Sequence, residues 1–265
     1  MMDLKENTDI RAIKFLSENK EMKITKDWLL KLKNISKPDI DDQAYNLLLK
    51  DIENNNLKFQ ISLQEHNYIK SCKEENLLEY LLYRYKFKEF PRRKISSDFP
   101  VYILIEPVSS CNLKCGVCFQ SDKSFIKKEF MGKMDFELFK KVIDEAASSG
   151  AKALTFGSRG EPTIHPQILD FIDYAKNKFL DFKLITNATK LNEKLISKIF
   201  ESNINLVSFS IDSEDKETYE KIRKFANFEQ VLENVKKYNE IKRSYKDCKT
   251  VTRVSGLKVY ETQSE

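Results

Sequence analysis

No uninterrupted apolar run in this 265-residue sequence approaches the roughly 18 residues that a membrane-spanning helix needs. The first residues, Met-Met-Asp-Leu-Lys-Glu, also lack the apolar core of a signal peptide. Lysine and arginine exceed aspartate and glutamate by only five, 46 against 41, which is too small an excess to indicate nucleic-acid binding. These absences predict a cytoplasmic protein with neither a membrane nor a nucleic acid as partner.

Cysteine is scarce as well, but its placement is informative. Three of the five cysteines, Cys111, Cys115 and Cys118, fall within eight residues, directly after the apolar run 101–105, which predicts a buried strand. Spacings of three and two intervening residues let one short loop arrange its thiolates around a single centre. Thiolates select zinc, cuprous copper or iron–sulfur clusters, and three of them leave one coordination position open.

Simpler interpretations of the three cysteines stay open at this point. They could form a structural zinc site with His165 or Cys248 as the fourth ligand, or they could be merely buried. Paired CxxC zinc modules are excluded, because Cys72 and Cys248 stand alone and provide no second pair.

Residues 1 to about 95 are predicted to form a helical N-terminal subdomain. Apolar residues recur at helical spacing around Ile10, Ile13 and Leu16, after Thr25, after Asp39 or Asp41, and over 77–82. The basic run 91–94, followed by Ser96-Ser97-Asp98, is predicted to be the linker to a second domain, residues 96–265.

The second domain alternates strands with helices, which indicates an α/β fold built from parallel βαβ units. The predicted strands are 101–105, 153–156, 182–186, 206–211 and 250–254. Parallel units of this kind form a barrel or an open sheet, and both bind ligands at the carboxyl ends of the strands.

Candidate binding residues follow each predicted strand. The cysteines follow the first strand, and Gly160-Glu161-Pro162 follows the second. Thr186-Asn187 ends the third, and Ser208, Ser210 and Asp212 form a polar row on the fourth, where a buried strand should be apolar. Asp212 could equally cap the following helix.

These four motifs, in this order, resemble those of the radical S-adenosylmethionine (radical SAM) enzymes over about residues 99–259. The resemblance implies a partial (βα) barrel of about five parallel strands. It implies that Cys111, Cys115 and Cys118 hold a 4Fe–4S cluster whose fourth iron binds S-adenosylmethionine. The cofactor contacts that it implies are Gly160 and Glu161 for the amino group, Asn187 in the third-strand motif, Ser210 and Asp212 for the ribose, and Arg253 for the carboxylate.

The resemblance also implies an activity. Family members use the cluster to cleave S-adenosylmethionine reductively into methionine and a 5′-deoxyadenosyl radical, which abstracts hydrogen from a substrate. An electron donor such as flavodoxin or ferredoxin is expected. A peptide is the commonest substrate implied by this motif set, and a carbohydrate or a small metabolite stays open.

The family's core usually has six βα units, whereas five strands can be counted here. We therefore expect the core to be incomplete at its C-terminus: a fragment, or a chain whose barrel a partner completes. Many relatives continue into an auxiliary-cluster domain of the SPASM or twitch type. Two alternatives to a radical SAM enzyme are a non-catalytic cluster- or cofactor-binding relative (or inactive fragment) and a zinc-stabilised α/β binding protein.

Overall fold

The computed structural model describes residues 24–36, 40–246, 248–257 and 259. The chain forms two compact units that divide between Val101 and Tyr102. The domain boundary at residues 95 and 96 stays a prediction. The helix predicted around Ile10, Ile13 and Leu16 lies outside the described residues.

The described part of the first unit contains four helices. They are α1 (Lys26–Ile35), α2 (Asp42–Glu53), α3 (Leu63–Ser71) and α4 (Glu74–Arg92). Thr25 and Asp41 cap α1 and α2 by accepting hydrogen bonds from backbone N–H groups, as the sequence predicts. Helix α3 was not predicted, although it begins with a capping box in which Ser62 and Glu65 bond to each other's backbone.

The predicted linker starts too early, because α4 continues through Arg92, whereas residues 93–101 are not helical. A proline in the last turn removes one helical hydrogen bond. Side-chain contacts hold the end of the helix despite this lost bond. Arg93, which caps the helix, forms an ion pair with the buried carboxylate of Asp51. Tyr85 of the same helix donates a 2.6 Å hydrogen bond to that carboxylate. The basic run is therefore part of the helical unit.

The second unit is built on one parallel sheet with strand order β1-β2-β3-β4-β5, which confirms the predicted α/β fold with five parallel strands. Its strands are β1 (Tyr102–Ile105), β2 (Ala153–Phe156), β3 (Asp181–Thr186), β4 (Leu206–Ser210) and β5 (Val251–Ser255). Its helices are α5 (Phe136–Ser148), α6 (Ile168–Ala175), α7 (Glu193–Glu201), α8 (Lys216–Ile222) and α9 (Phe228–Ser244).

The core of the second unit lies between the sheet and its helices. Phe139 of α5 and Phe171 of α6 are fully buried, and their rings stack with centroids 4.1 Å apart. Each such ring contributes about 2 kcal/mol through burial. None of the helices in the described ranges is long and apolar enough to cross a membrane.

Because all five strands are parallel, their carboxyl ends meet at one edge of the sheet. The segments that leave this edge are 106–111 after β1, 157–162 after β2, 187–189 after β3 and 211–213 after β4. Except for Ser208 and Ser210, which lie within β4, and Arg253, which lies within β5, the residues singled out in the sequence are therefore at or beyond this edge.

Candidate functional site

The three clustered cysteines lie on one loop between β1 and a short 3₁₀ helix, Phe119–Ser121. All three are free thiols and half-buried. Leu113 is buried beneath the loop, and its N–H donates to the sulfur of Cys111 at 3.4 Å. Burial raises the pKa of Cys111 and of Cys115. Nearby positive charge or metal would be needed to hold these sulfurs as thiolates at neutral pH.

A ring of three polar side chains fastens the cysteine loop to the end of β3. Asn112 donates to Thr189 Oγ1 at 2.7 Å, Thr189 donates to Asn187 Oδ1 at 2.7 Å, and Asn187 donates back to Asn112 Oδ1 at 3.0 Å. The Asn187 amide also lies 3.8 Å from the sulfur of Cys111. The ring holds the first cysteine close to the third strand.

The other side of the loop is fastened to the residues that follow α8. The Lys114 N–H donates to the Lys224 carbonyl and the Gly116 N–H to the Ile222 carbonyl, both at 3.0 Å. Between these two bonds, the guanidinium of Arg223 lies with Nη1 3.9 Å from the sulfur of Cys115. The loop is thus held at both ends by residues distant in sequence.

The turn after β2 packs directly against the segment that leads into the cysteine loop. A Cβ on Gly160 would overlap the Val108 carbonyl oxygen and lie 2.7 Å from the Ser110 carbonyl oxygen. The next N–H, of Glu161, donates to Ser110 O at 3.0 Å. The sequence suggests that glycine serves close approach to a ligand; in the structure its missing Cβ already makes room for the protein's own main chain.

Glu161 is 3% exposed, and its carboxylate is occupied by protein donors. Oε1 accepts from the N–H and hydroxyl of Thr163 and from the Thr186 hydroxyl, at 3.1, 2.6 and 2.7 Å. Oε2 accepts from the Asn187 N–H at 2.7 Å. Burial raises the pKa of Glu161, and these four donors oppose that rise. The carboxylate ties the turn after β2 to the end of β3.

The guanidinium of Arg159, in the turn after β2, is paired with Glu106, the residue after β1. Nη2 lies 2.6 Å from Oε1, Nε lies 3.0 Å from Oε2, and the Arg159 backbone N–H donates to Oε2 at 2.9 Å. One carboxylate therefore fixes both the side chain and the backbone of the turn. The pair forms one wall of an open cleft of about 460 Å³, further lined by 129–134 and Leu138.

The polar row at the end of β4 has mixed surroundings. Ser208 is buried and accepts from Nε of the exposed Arg253 at 3.3 Å, and Ser210 is half-buried opposite Ser255 of β5. Asp212 accepts from the Leu257 N–H at 2.8 Å and is ion-paired with Arg223. Asp212 does not cap α8.

The cap of α8 is Asp215, whose side chain accepts from the Thr218 N–H. The alternative that Asp212 caps this helix is therefore wrong. The Asp212 carboxylate is fully buried instead, and its Oδ2 lies 2.8 Å from Arg223 Nε without hydrogen-bond alignment. A ribose hydroxyl would compete with these protein groups for Asp212.

A zinc site completed by His165 does not fit the structure. His165 is buried, its Nδ1 accepts from the Gln167 N–H at 3.2 Å, and its Nε2 lies 3.1 Å from the Met134 carbonyl oxygen. Both ring nitrogens are thus engaged, with the proton on Nε2. Burial lowers the pKa of His165. Cys248, the other proposed fourth ligand, packs against the apolar core near Tyr245.

The fit of the cysteine loop to a cluster rests on the chemistry of its donors. Within the described ranges, no three His, Cys, Asp or Glu side chains converge closely enough to hold a metal ion. Three thiol sulfurs on one loop are nevertheless the ligands that an iron–sulfur cluster requires, and rotation about each Cα–Cβ bond moves a sulfur without disturbing the backbone anchors. The donor set therefore fits a cluster bound by three cysteines.

Sequence reasoning missed the residues that position this site. Glu106, Asn112, Thr189 and Arg223 act through partners distant in the chain, so no local spacing marks them. Two weak signals existed: Glu106 is a charge directly after a buried strand, and Asn112 lies inside the cysteine motif.

Fold and site together define a parallel α/β core that places a three-thiolate loop at the carboxyl edge of its sheet. A model of the radical SAM superfamily matches residues 105–258, more than half of the chain, and the chain belongs to this superfamily. Members use a 4Fe–4S cluster and S-adenosylmethionine. The expectation of a radical SAM enzyme is confirmed at this level.

Curated relatives share about a third of the aligned residues. A tungsten-containing aldehyde ferredoxin oxidoreductase cofactor-modifying protein of Pyrococcus furiosus is 34% identical over 112 residues, covering 42% of this chain and 30% of the relative. A cysteine-type anaerobic sulfatase-maturating enzyme of Clostridium novyi is 31% identical over 163 residues, covering 54% of this chain and 41% of the relative. The chain thus spans well under half the length of these two relatives.

Among solved structures, SuiB of Streptococcus suis bound to S-adenosylmethionine has a similar fold. The TM-score is 0.53 at 17% identity, covering 85% of this chain and 52% of SuiB. This likeness supports the predicted partial barrel preceded by helices.

Proposed function

We propose that this chain binds a 4Fe–4S cluster through Cys111, Cys115 and Cys118 and cleaves S-adenosylmethionine reductively. The observation that carries the proposal is the double anchoring of the cysteine loop, to β3 through Asn112 and to the end of α8 through Arg223. A loop whose cysteines were merely buried would not need polar side chains aimed at two of its sulfurs. When bound, the cluster supplies the electron for cleavage.

The chain's own residues would orient the cofactor at the same edge of the sheet. The turn at Gly160 and Glu161 offers backbone groups for the amino group, and Asn187, Ser210 and Arg253 offer polar side chains for the remainder of the molecule. Asp212 is proposed to bind the ribose only if the ribose hydroxyls replace its present partners, the Leu257 N–H and Arg223. Glu161 is proposed to act through the turn that it holds, since its carboxylate is filled by protein donors.

The substrate is proposed to be a peptide. Two relatives support this: the sulfatase-maturating enzyme of Clostridium novyi and the subtilosin biosynthesis protein AlbA of Bacillus subtilis, which is 27% identical over 146 residues. Other relatives are named as GTP cyclases and haem synthases, so a small metabolite remains the competing class. An electron donor such as flavodoxin or ferredoxin and a partner chain that completes the barrel stay predictions.

Cluster binding is tested by anaerobic reconstitution with iron and sulfide. The wild type should take up about four irons and four sulfides per chain. Serine at Cys111, Cys115 or Cys118 should reduce this uptake severely, whereas Cys72→Ser and Cys248→Ser, matched controls at half-buried cysteines outside the loop, should leave it intact. Stoichiometric zinc with no iron would contradict the proposal and favour a zinc-stabilised binding protein.

The second candidate is a non-catalytic relative, which differs from the proposed enzyme only in that it does not cleave S-adenosylmethionine. Such a protein would take up the cluster and bind S-adenosylmethionine but would release no methionine under reduction. Release of 5′-deoxyadenosine from S-adenosylmethionine under reduction separates the two.

A further inference from the structure

Arg223 occupies an unusual position for a cation. It is the first residue after α8, its side chain is only 12% exposed, and it lies between the cysteine loop and the end of β4. The backbone on either side, at Ile222 and Lys224, accepts the N–H groups of Gly116 and Lys114. The residue is therefore built into the docking surface of the loop.

Its guanidinium connects two functional segments. Nη1 lies 3.9 Å from the sulfur of Cys115, and Nε lies 2.8 Å from Asp212 Oδ2. Asp212 is itself held by the Leu257 N–H at 2.8 Å. A chain of contacts thus runs from Leu257, the second residue after β5, through Asp212 and Arg223, to the second cysteine.

Burial gives this charge an influence that a surface arginine lacks. Charges in a low-dielectric interior interact several-fold more strongly than exposed ones. Reduction adds an electron to a cluster, so a fixed positive charge beside a ligating sulfur favours the reduced form, and hydrogen bonds to the sulfur act in the same direction. The negative charge of Asp212 acts in the opposite direction and disfavours the reduced form.

We propose that Arg223 is a positioning residue that docks the Cys115 side of the loop and raises the reduction potential of the cluster, with Asp212 as its opposing partner. The inference rests on the proposed function, because it needs a cluster at the three cysteines. It assigns the Asp212–Arg223 pair a role in electron transfer, separate from ribose binding.

The electrostatic half is tested by spectroscopically monitored redox titration of the reconstituted full chain. Arg223→Gln should shift the midpoint potential to a more negative value, because it removes the cation and leaves the carboxylate unopposed. Asp212→Asn should shift it to a more positive value. Arg223→Lys should remain close to the wild type, and Arg243→Gln, an exposed arginine in the last turn of α9, should not shift it.

The positioning half is tested without cofactor, by amide hydrogen exchange of the cluster-free chain. Arg223→Gln should accelerate exchange at Lys114 and Gly116, whose N–H groups bond to the segment around Arg223. Arg243→Gln should leave both amides as protected as in the wild type.

The outcomes separate the two proposals. A wild type that takes up no iron–sulfur cluster contradicts the proposed function. If the wild type takes up the cluster but the midpoint potentials of Arg223→Gln and Asp212→Asn equal that of the wild type, the proposed role of Arg223 is overturned. Shifts of the same sign in the two variants overturn it as well. If Arg223→Gln does not fold, the sign of the Asp212→Asn shift against the wild type decides: a positive shift supports the inference, and none or a negative one refutes it.

Discussion

The backbone N–H of Asn187 donates a 2.7 Å hydrogen bond to Oε2 of Glu161, which joins the end of β3 to the turn after β2. Oε1 of the same carboxylate accepts from Thr163 and Thr186. One buried side chain therefore aligns two of the segments that we propose for cofactor binding.

Glu161→Gln tests this arrangement. The substitution replaces one carboxylate oxygen with an NH₂ group that faces donors, so we expect a loss of about 2–3 kcal/mol in the free energy of unfolding. Urea denaturation of the cluster-free chain measures it. The control is Glu145→Gln on the exposed face of α5, which should change the value by less than about 0.5 kcal/mol. Equal stability of the two variants would show that the carboxylate does not hold the turn.

Gly160→Ala should be strongly destabilising. The added methyl group would overlap the Val108 carbonyl oxygen, and backbone on both sides prevents an easy shift. We expect about 3 kcal/mol or more, measured by the same denaturation. Gly116→Ala is the matched control, because a Cβ there meets no atom within 4 Å. A Gly160→Ala chain as stable as this control would mean that the turn is not packed as described.

Asn112→Ala should loosen the cysteine loop. It removes the hydrogen bonds to Thr189 and from Asn187, each worth about 1 kcal/mol. We expect less iron per chain after reconstitution and faster loss of iron to a chelator. Asn239→Ala on α9, which lies outside this ring, should retain iron like the wild type. Unchanged iron retention in Asn112→Ala would argue against the ring as an anchor.

His165 should make the free energy of unfolding depend on pH. Burial lowers its pKa in the folded chain, while in the unfolded chain it titrates near its ordinary value of about 6.5. As the pH falls below that value, the unfolded chain binds a proton that the folded chain does not, so stability falls, by up to about 1.4 kcal/mol per pH unit.

The measurement is the difference between wild type and His165→Gln at pH 7 and pH 5. His66, the other histidine, also has a pKa lowered by burial but is common to both chains, so it does not affect the difference. The wild type should lose more stability than the variant. An identical loss would show that His165 does not titrate as its surroundings indicate.

Much of the fold could be predicted because its signals are local. Alternating strands and helices indicate parallel βαβ units, and the order of the sheet follows the order of the strands. Cys111, Gly160 and Asn187 each follow a predicted strand, and the rule that parallel sheets bind ligands at the carboxyl ends of their strands predicts that these residues share one edge. Helix α3 was not predicted because its apolar pattern is weak. The linker was predicted to start at Pro91, inside α4, because a proline beside basic residues usually marks a loop.

The supporting contacts of the site could not be predicted from sequence. The partners Asn112 and Asn187 are 75 residues apart, and Cys115 and Arg223 are 108 apart, so no periodicity connects them. The surroundings of Glu161 could not be predicted either: a carboxylate beside a glycine suggests a ligand contact, and its depth of burial and four protein donors appear only in three dimensions.

The measurement that tests the central claim most directly is the release of 5′-deoxyadenosine. The reconstituted chain is incubated anaerobically with S-adenosylmethionine and dithionite, beside Cys115→Ser and Cys248→Ser treated in the same way. The account predicts 5′-deoxyadenosine and methionine in equal amounts from the wild type and Cys248→Ser, and none from Cys115→Ser. A wild type that carries the cluster, binds S-adenosylmethionine and leaves it intact under reduction would contradict the account.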